Sequence, residues 1–80
     1  ALRAGAELVA GGERSPVRVC AAMRELLDAE PVVSSVDYAA CVEPATFRVP
    51  DEIDAPVRLL IAARVGPARL IDNCAANPPS

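Results

Sequence analysis

Histidine and lysine are both missing from this sequence of 80 residues, and all eight of its basic residues are arginine. Without histidine, the chain can form neither a Ser-His or Cys-His nucleophile pair nor an imidazole metal site. Without lysine, it can form neither a Walker-type phosphate loop nor a Schiff base. We therefore predict that the chain by itself is not an independent enzyme, and we expect it to hold neither a metal nor a cofactor.

Aromatic residues are scarce as well, since Tyr38 and Phe47 are the only two. A chain of this length forms one domain at most, and its core has to consist of aliphatic side chains. The hydrophobic fraction of 52% is too high for a disordered chain. No apolar run approaches the roughly 20 residues of a membrane helix, so we expect a soluble folded domain without a membrane partner.

Basic residues are fewer than acidic ones: the chain has 8 arginines and 11 acidic residues, which gives a net charge of -3. Nucleic-acid binding requires a clustered basic surface. The arginines are spread along the chain among the acids, so no nucleic-acid partner is expected.

The three cysteines, Cys20, Cys41 and Cys74, are far apart and in no C-x-x-C spacing. This pattern encodes neither a disulfide scaffold nor a zinc site. We predict buried free thiols, and the alternative is a reactive or redox-sensing cysteine. Because the first residues do not form a signal peptide, the expected location is the reducing cytoplasm.

Two helices are predicted at the start of the chain. Apolar residues recur at helical spacing from Leu2 to Val9, until Gly11 interrupts the pattern. A second helix begins after Ser15, an N-cap residue followed by proline, and ends near Ala29. Its buried side is predicted to carry Val19, Cys20, Met23, Leu26 and Leu27.

Three strands are predicted in the second half. The first spans residues 36–42 and is predicted to put Val36, Tyr38, Ala40 and Val42 on one face, with the Tyr38 ring in the core. The stretch 57–63 is apolar on both faces, which indicates a central strand. Residues 69–73 return beside it as a hairpin. The long loop before the central strand is predicted to be anchored by Ile53.

This order of elements predicts an α+β fold, in which two N-terminal helices pack on one face of a small three-stranded antiparallel sheet. A central strand that is apolar on both faces is unusual in so small a domain, because monomers rarely expose large apolar patches. We therefore predict that a partner domain or a long loop covers the other face.

Three polar side chains near the hairpin are candidates for ligand binding. Arg64 and Arg69 flank the turn and could clamp an anion, or they could pair with nearby carboxylates. Asp72 could hydrogen-bond a ligand or cap the adjacent turn. The acidic stretch 51–54 could hold a divalent ion, but acids bracketed by prolines are typical of a solvated loop.

Two segments near the carboxyl terminus carry a resemblance to a known family. They are LLIAARVG at 59–66 and RLIDN at 69–73, supported by VDY at 36–38 and EPAT at 43–46. In these segments the sequence resembles the C-terminal domain of the pantothenate synthetase family. The resemblance extends over nearly the whole chain, and Pro67 is a departure from the usual residue of the turn.

The resemblance implies a larger enzyme. That enzyme condenses pantoate with β-alanine in the coenzyme A pathway, uses ATP and Mg2+ through a pantoyl-adenylate, and is expected to be a cytoplasmic homodimer. Its adenylation site is built on an N-terminal nucleotide-binding domain with HxGH and KMSKS-like motifs. Neither motif is present in this sequence, so no catalytic residue is transferred to it.

Residues 1–80 are then expected to form a single C-terminal lid domain, with residues 75–80 as a flexible tail. A lid excludes water from a reactive intermediate when it closes. The candidate ligand-binding residues remain Arg64, Arg69 and Asp72. The alternative hypothesis is a stand-alone protein-binding or dimerisation module without enzymatic activity.

Overall fold

Two helices and three strands follow one another along residues 1–79, the part of the chain that this computed structural model describes. They are α1 (Leu2–Ala10), α2 (Pro16–Ala29), β1 (Val33–Val42), β2 (Val57–Val65) and β3 (Ala68–Ala76). In the sheet, β2 lies between β1 and β3 and is antiparallel to both. The predicted α+β fold and the central position of the second strand are confirmed.

The ends of α2 follow from local chemistry. The hydroxyl of Ser15 accepts a hydrogen bond from the backbone N–H of Arg18 at 3.3 Å, and Pro16 occupies the first turn, where its missing N–H is not needed. The helix ends before Pro31, because a proline disfavours helical geometry in the residue that precedes it. Glu30 accordingly has an extended conformation.

The core lies between the helices and one face of the sheet. α1 comes close to this core at Gly5, where a Cβ atom would be 2.8 Å from Met23 Sδ and 2.9 Å from Leu59 Cδ1. Ile53 of the long loop is buried among the same residues, as predicted. The buried cluster consists of Val9, Val19, Met23, Leu27, Cys41, Ile53, Val57, Leu59, Ile61 and Ala76.

Leu26 was predicted in this core, and that prediction is wrong. Its side chain is 48% exposed, whereas that of the next residue, Leu27, is buried. Successive helix positions differ by about 100° in direction, so Leu26 points away from the core when Leu27 points into it.

β1 departs from simple alternation. Its pairing with β2 shifts register between Val36 and Tyr38, which are the partners of the consecutive residues Ala63 and Ala62. This β-bulge inserts Asp37 as an extra residue. Val36 therefore packs against the core, while Tyr38 lies on the other face and is 38% exposed. The prediction that put both on one face, with the tyrosine ring buried, is wrong.

A two-residue turn joins β2 to β3. Val65 and Ala68 are partners in the ladder, so the turn consists of Gly66 and Pro67. Gly66 has a φ of 59°, which a glycine adopts without the strain that a Cβ would bring. The predicted hairpin is confirmed.

β3 runs further than the sequence analysis predicted. Of the residues assigned to a tail, Ala75 and Ala76 belong to β3 and Ala76 is buried, while Ser80 lies outside the described residues. None of the helices within residues 1–79 is both long enough and apolar enough to cross a membrane.

Candidate functional site on the uncovered face of the sheet

Both helices contact the sheet from the side of the buried cluster, and the opposite side of the sheet carries no helix within residues 1–79. We call that side the uncovered face. Strand partners share a face, so the register defines its rows of side chains. The three rows discussed below are Arg64 with Arg69, Tyr38 with Ala62 and Ile71, and Ala40 with Leu60 and Asn73.

Two arginines share one carboxylate at the hairpin end of this face. Arg69 Nε donates a hydrogen bond to Asp37 Oδ2 at 2.9 Å, and Arg64 Nε lies 3.9 Å from Asp37 Oδ1. The structure thus brings Arg64 and Arg69 together and pairs them with a carboxylate, one of the two alternatives that the sequence left open. Like charges directly opposite each other across strands repel, and Asp37 offsets that repulsion.

An apolar row lies beside this cluster. Ala62 is fully buried between its strand partners Tyr38 and Ile71, whereas the Ile71 side chain is 60% exposed. Leu60, one row further, is half-buried. The uncovered face of the sheet therefore combines buried apolar groups on the central strand with exposed ones on its neighbours, as a surface that meets another body would.

A third arginine on the same face already has a partner. Arg58 donates to the side-chain oxygen of Asn73 from Nε at 3.0 Å and from Nη2 at 2.7 Å. Its guanidinium is therefore held within the sheet, in contrast to the exposed cluster at the hairpin end.

Asp72 does not join the arginine cluster. Its Oδ1 accepts a hydrogen bond from the backbone N–H of Asn73 at 2.8 Å. Because Arg69 and Ile71 lie on the uncovered face, alternation puts Asp72 on the opposite one. Of the three candidate residues, the structure brings two together and separates the third.

The acidic loop has a structural role in part. Glu52 Oε2 accepts from Arg14 Nη2 at 2.8 Å, and the N–H of Ile53 donates to the carbonyl oxygen of Arg14 at 2.7 Å. These contacts fix the loop to the turn between the helices. No group of three or more potential metal ligands is present within residues 1–79.

The cysteines are free, and their environments differ. Cys41 is buried in the core, while Cys20 and Cys74 are half-buried. Burial raises the pKa of the Cys41 thiol to about 11, with a further contribution from the neighbouring Cys20 thiol. Burial also raises the pKa of Cys20. Both thiols are protonated at neutral pH, which makes them weak nucleophiles.

The comparison with known proteins identifies the family of the chain. Residues 1–75 match the model of the family described as pantoate-beta-alanine ligase. The chain belongs to this family. The resemblance seen in the sequence is therefore confirmed.

Members of this pantoate-beta-alanine ligase family match the chain over almost its full length. A pantothenate synthetase of Rubrobacter xylanophilus is 49% identical over 76 residues, which are 94% of this chain and 26% of the relative. One from Syntrophobacter fumaroxidans is 42% identical and matches 98% of this chain and 27% of its own. The chain spans about a quarter of the length of these relatives.

The fold agrees with that of a solved member. The crystal structure of pantothenate synthetase from Thermus thermophilus superimposes with a TM-score of 0.82 at 34% sequence identity. The match covers 96% of this chain and 27% of that one. The three-stranded sheet with two helices is thus similar to a part of that larger structure.

Two features of this member of the pantoate-beta-alanine ligase family were not predicted from the sequence. Asp37 was not recognised as the partner of Arg64 and Arg69, because the bulge that turns it toward them leaves no local signal. Phe47 has a φ of 59° and is largely exposed, which is rare for a bulky residue. Only the turn chemistry of the preceding EPAT segment hinted at an unusual backbone there.

Proposed function

We propose that this chain is the C-terminal lid domain of a pantothenate synthetase. The whole enzyme would be an ATP- and Mg2+-dependent ligase that joins pantoate to β-alanine through a pantoyl-adenylate. The observation that carries the proposal is the family match over residues 1–75, combined with relatives that are about four times as long as the match. The absence of histidine and lysine supports a location of the chemistry outside this chain.

In this proposal, ATP, Mg2+, pantoate and β-alanine bind mainly to the remaining, nucleotide-binding part of the enzyme. That part is also the partner of this domain, and the assembled enzyme is a cytoplasmic homodimer. An acyl-adenylate is readily hydrolysed by water. A domain that closes over the site lowers this loss, because closure excludes water from the intermediate.

The uncovered face is the surface best suited to meet the rest of the enzyme. It carries the exposed apolar groups of Tyr38 and Ile71 and lies opposite the two helices. Arg64 and Arg69 would then approach the substrates. Asp72, which lies on the other side and is hydrogen-bonded to the adjacent backbone N–H, is the weakest of the three candidate ligand-binding residues.

The test compares the full-length enzyme that contains this chain with a version that ends before it. AMP and pantothenate are measured in the same reaction. We expect about one AMP per pantothenate in the full enzyme, an excess of AMP in the truncated enzyme, and neither product from the 80-residue chain alone.

Two results would contradict the proposal at different points. If the full-length enzyme makes no AMP that depends on pantoate, the assigned activity is wrong. If the truncated enzyme keeps both its rate and its AMP-to-pantothenate ratio, the activity stands but the lid role fails. In that second case, a concentration-dependent dimer of the chain that buries Leu60 would favour a dimerisation module.

A further inference from the structure

We propose that Arg64 and Arg69, positioned by Asp37, form a receptor for a small oxyanion that carries an apolar group. The ligand class is a phosphate or carboxylate attached to an aliphatic or aromatic body. The proposal rests on the charges and contacts of the uncovered face, and it holds whether or not the domain acts as a lid.

The first observation is an imbalance of charge. Asp37 supplies one negative charge to two guanidinium groups, so the cluster keeps one positive charge in a chain whose net charge is -3. Arg64 and Arg69 are directly opposite each other in the ladder, an arrangement that is unfavourable without an anion nearby. A bound anion would neutralise the positive charge that Asp37 leaves uncompensated.

The second observation is the supply of unused donors. Both arginines approach Asp37 through Nε, and no other residue within 1–79 accepts a side-chain hydrogen bond from either of them. Their remaining N–H groups are free to bind a ligand. The planar guanidinium fork matches the oxygens of a phosphate or carboxylate, and such charge-assisted hydrogen bonds are stronger than neutral ones.

Other arginines of the domain lack this combination. Arg58 lies on the same face but gives two hydrogen bonds to Asn73, and Arg14 is paired with Glu52. Each of these has its own acceptor. The cluster at the hairpin end is the place where two guanidiniums share one acceptor.

The third observation gives the class of ligand. The row of Tyr38, Ala62 and Ile71 is the next one along the strands, roughly 7 Å from the arginine row at two residues per repeat. Its exposed groups are a tyrosine ring and an isoleucine side chain. An oxyanion held by Arg64 and Arg69 would therefore place an attached apolar group over Tyr38 and Ile71.

The experiment is an NMR titration of the 80-residue chain at low ionic strength with inorganic phosphate and, separately, with phenyl phosphate. We expect saturable shifts of the Nε–H signals of Arg64 and Arg69 with both probes. Phenyl phosphate should also shift Tyr38 and Ile71, and it should bind about 3- to 10-fold more tightly than phosphate because its ring buries apolar area.

Variants separate a specific site from general charge attraction. Arg64→Gln and Arg69→Gln should each weaken binding of phenyl phosphate by about 3- to 10-fold. Arg58→Gln removes the same charge from the same face and should leave the affinity unchanged, because its guanidinium is occupied by Asn73. Arg64→Lys provides a second variant that keeps the charge and loses the planar fork, so binding should fall here too.

Two outcomes would overturn the proposal. One is a wild-type titration in which the Arg64 and Arg69 signals do not saturate with either probe. The other is an equal loss of affinity in Arg58→Gln, since this would mean that only the overall charge of the face attracts anions. Neither outcome bears on the lid role, which the AMP-to-pantothenate ratio tests.

Discussion

Arg24 donates a hydrogen bond from Nη2 to the backbone carbonyl oxygen of Val36 at 3.1 Å. Val36 is the residue at which the β1 ladder shifts register, so this bond from α2 reaches the bulge itself. The bulge allows Asp37 and Tyr38 to lie together on the uncovered face. A side chain of the helical layer thus supports the arrangement of residues on the opposite side of the sheet.

Replacing Arg24 by methionine keeps an apolar stem and removes the donor. We expect the free energy of unfolding to fall by about 1 kcal/mol, because one hydrogen bond to a backbone carbonyl is lost. The amide signals of Asp37 and Tyr38 should shift as the bulge loosens. Urea unfolding measures the first effect and NMR the second.

The matched control is Arg3→Met. Arg3 forms an exposed ion pair with Glu7 in α1, so its loss should change the stability by no more than about 0.5 kcal/mol. If both variants had the same effect, the bond between Arg24 and Val36 would contribute nothing specific to the bulge.

The helices and the hairpin could be predicted because their signals are local. The hydroxyl of Ser15 and the glycine of the 66–67 turn act on backbone groups only a few residues away. The bulge could not be predicted, since the contact that reaches it, from Arg24 of α2 to Val36 of β1, joins residues 12 positions apart and leaves no local pattern. Alternation by itself therefore misplaced Tyr38.

The same difference between local and long-range signals explains why only part of the candidate site was predicted. Arg64 and Arg69 were recognisable because they flank a turn and must face each other in a hairpin. Their carboxylate, Asp37, comes from another strand and reaches them only through the bulge. Asp72 was selected as a polar residue at the end of a predicted strand, but β3 continues to Ala76, and strand alternation puts Asp72 on the other face.

Gly5→Ala should destabilise the domain although alanine favours helices. The new Cβ would be 2.8–2.9 Å from atoms of Met23 and Leu59, both of which are fully buried. Overpacking of a core costs about 1 to 3 kcal/mol, while the gain in helix propensity is about 1 kcal/mol. We expect a net loss of about 1 kcal/mol in the free energy of unfolding, measured by urea denaturation.

Gly11→Ala is the control for backbone effects. Gly11 has a φ of -81°, which alanine adopts readily, and the nearest atom to its Cβ would be the carbonyl oxygen of Glu7 at 3.2 Å. Its stability should change by less than about 0.5 kcal/mol. A Gly5→Ala variant as stable as Gly11→Ala would show that Met23 can move aside freely.

Phe47→Gly should stabilise the domain. The segment is closed by hydrogen bonds of 2.8 Å from Phe47 N–H to the Glu43 carbonyl and from Glu43 N–H to the Arg48 carbonyl, and it requires a φ of 59° at Phe47. Glycine adopts this φ without strain, so the substitution should raise the free energy of unfolding by about 0.5 to 1 kcal/mol. Little burial is lost, because the side chain is 67% exposed.

Val49→Gly is the matched comparison, since Val49 is nearby, similarly exposed at 59%, and has no positive φ. Glycine there adds only flexibility to the unfolded chain and should lower the stability by about 0.5 to 1 kcal/mol. Opposite signs for the two variants are therefore expected in thermal melts. Equal destabilisation would mean that Phe47 is not strained.

The stability of the domain should fall as the pH rises from 9 to 11, and Cys41 should account for part of the fall. Burial raises its pKa from 9.0 to about 11 in the folded state. Above pH 9.0 the unfolded chain therefore loses this proton while the folded chain still holds it, which favours unfolding. The stabilisation is complete below pH 9.0 and is lost as the pH passes through about 11.

Urea unfolding at several pH values tests this with Cys41→Ala and Val42→Ala. Both side chains are buried neighbours in β1, so both substitutions lower the stability at neutral pH through lost packing. Only Cys41→Ala also removes a titrating group, and its stability should fall less steeply with pH than that of the wild type. Val42→Ala should keep the wild-type slope. Parallel slopes in all three proteins would mean that the Cys41 thiol ionises equally well in the folded and unfolded chain.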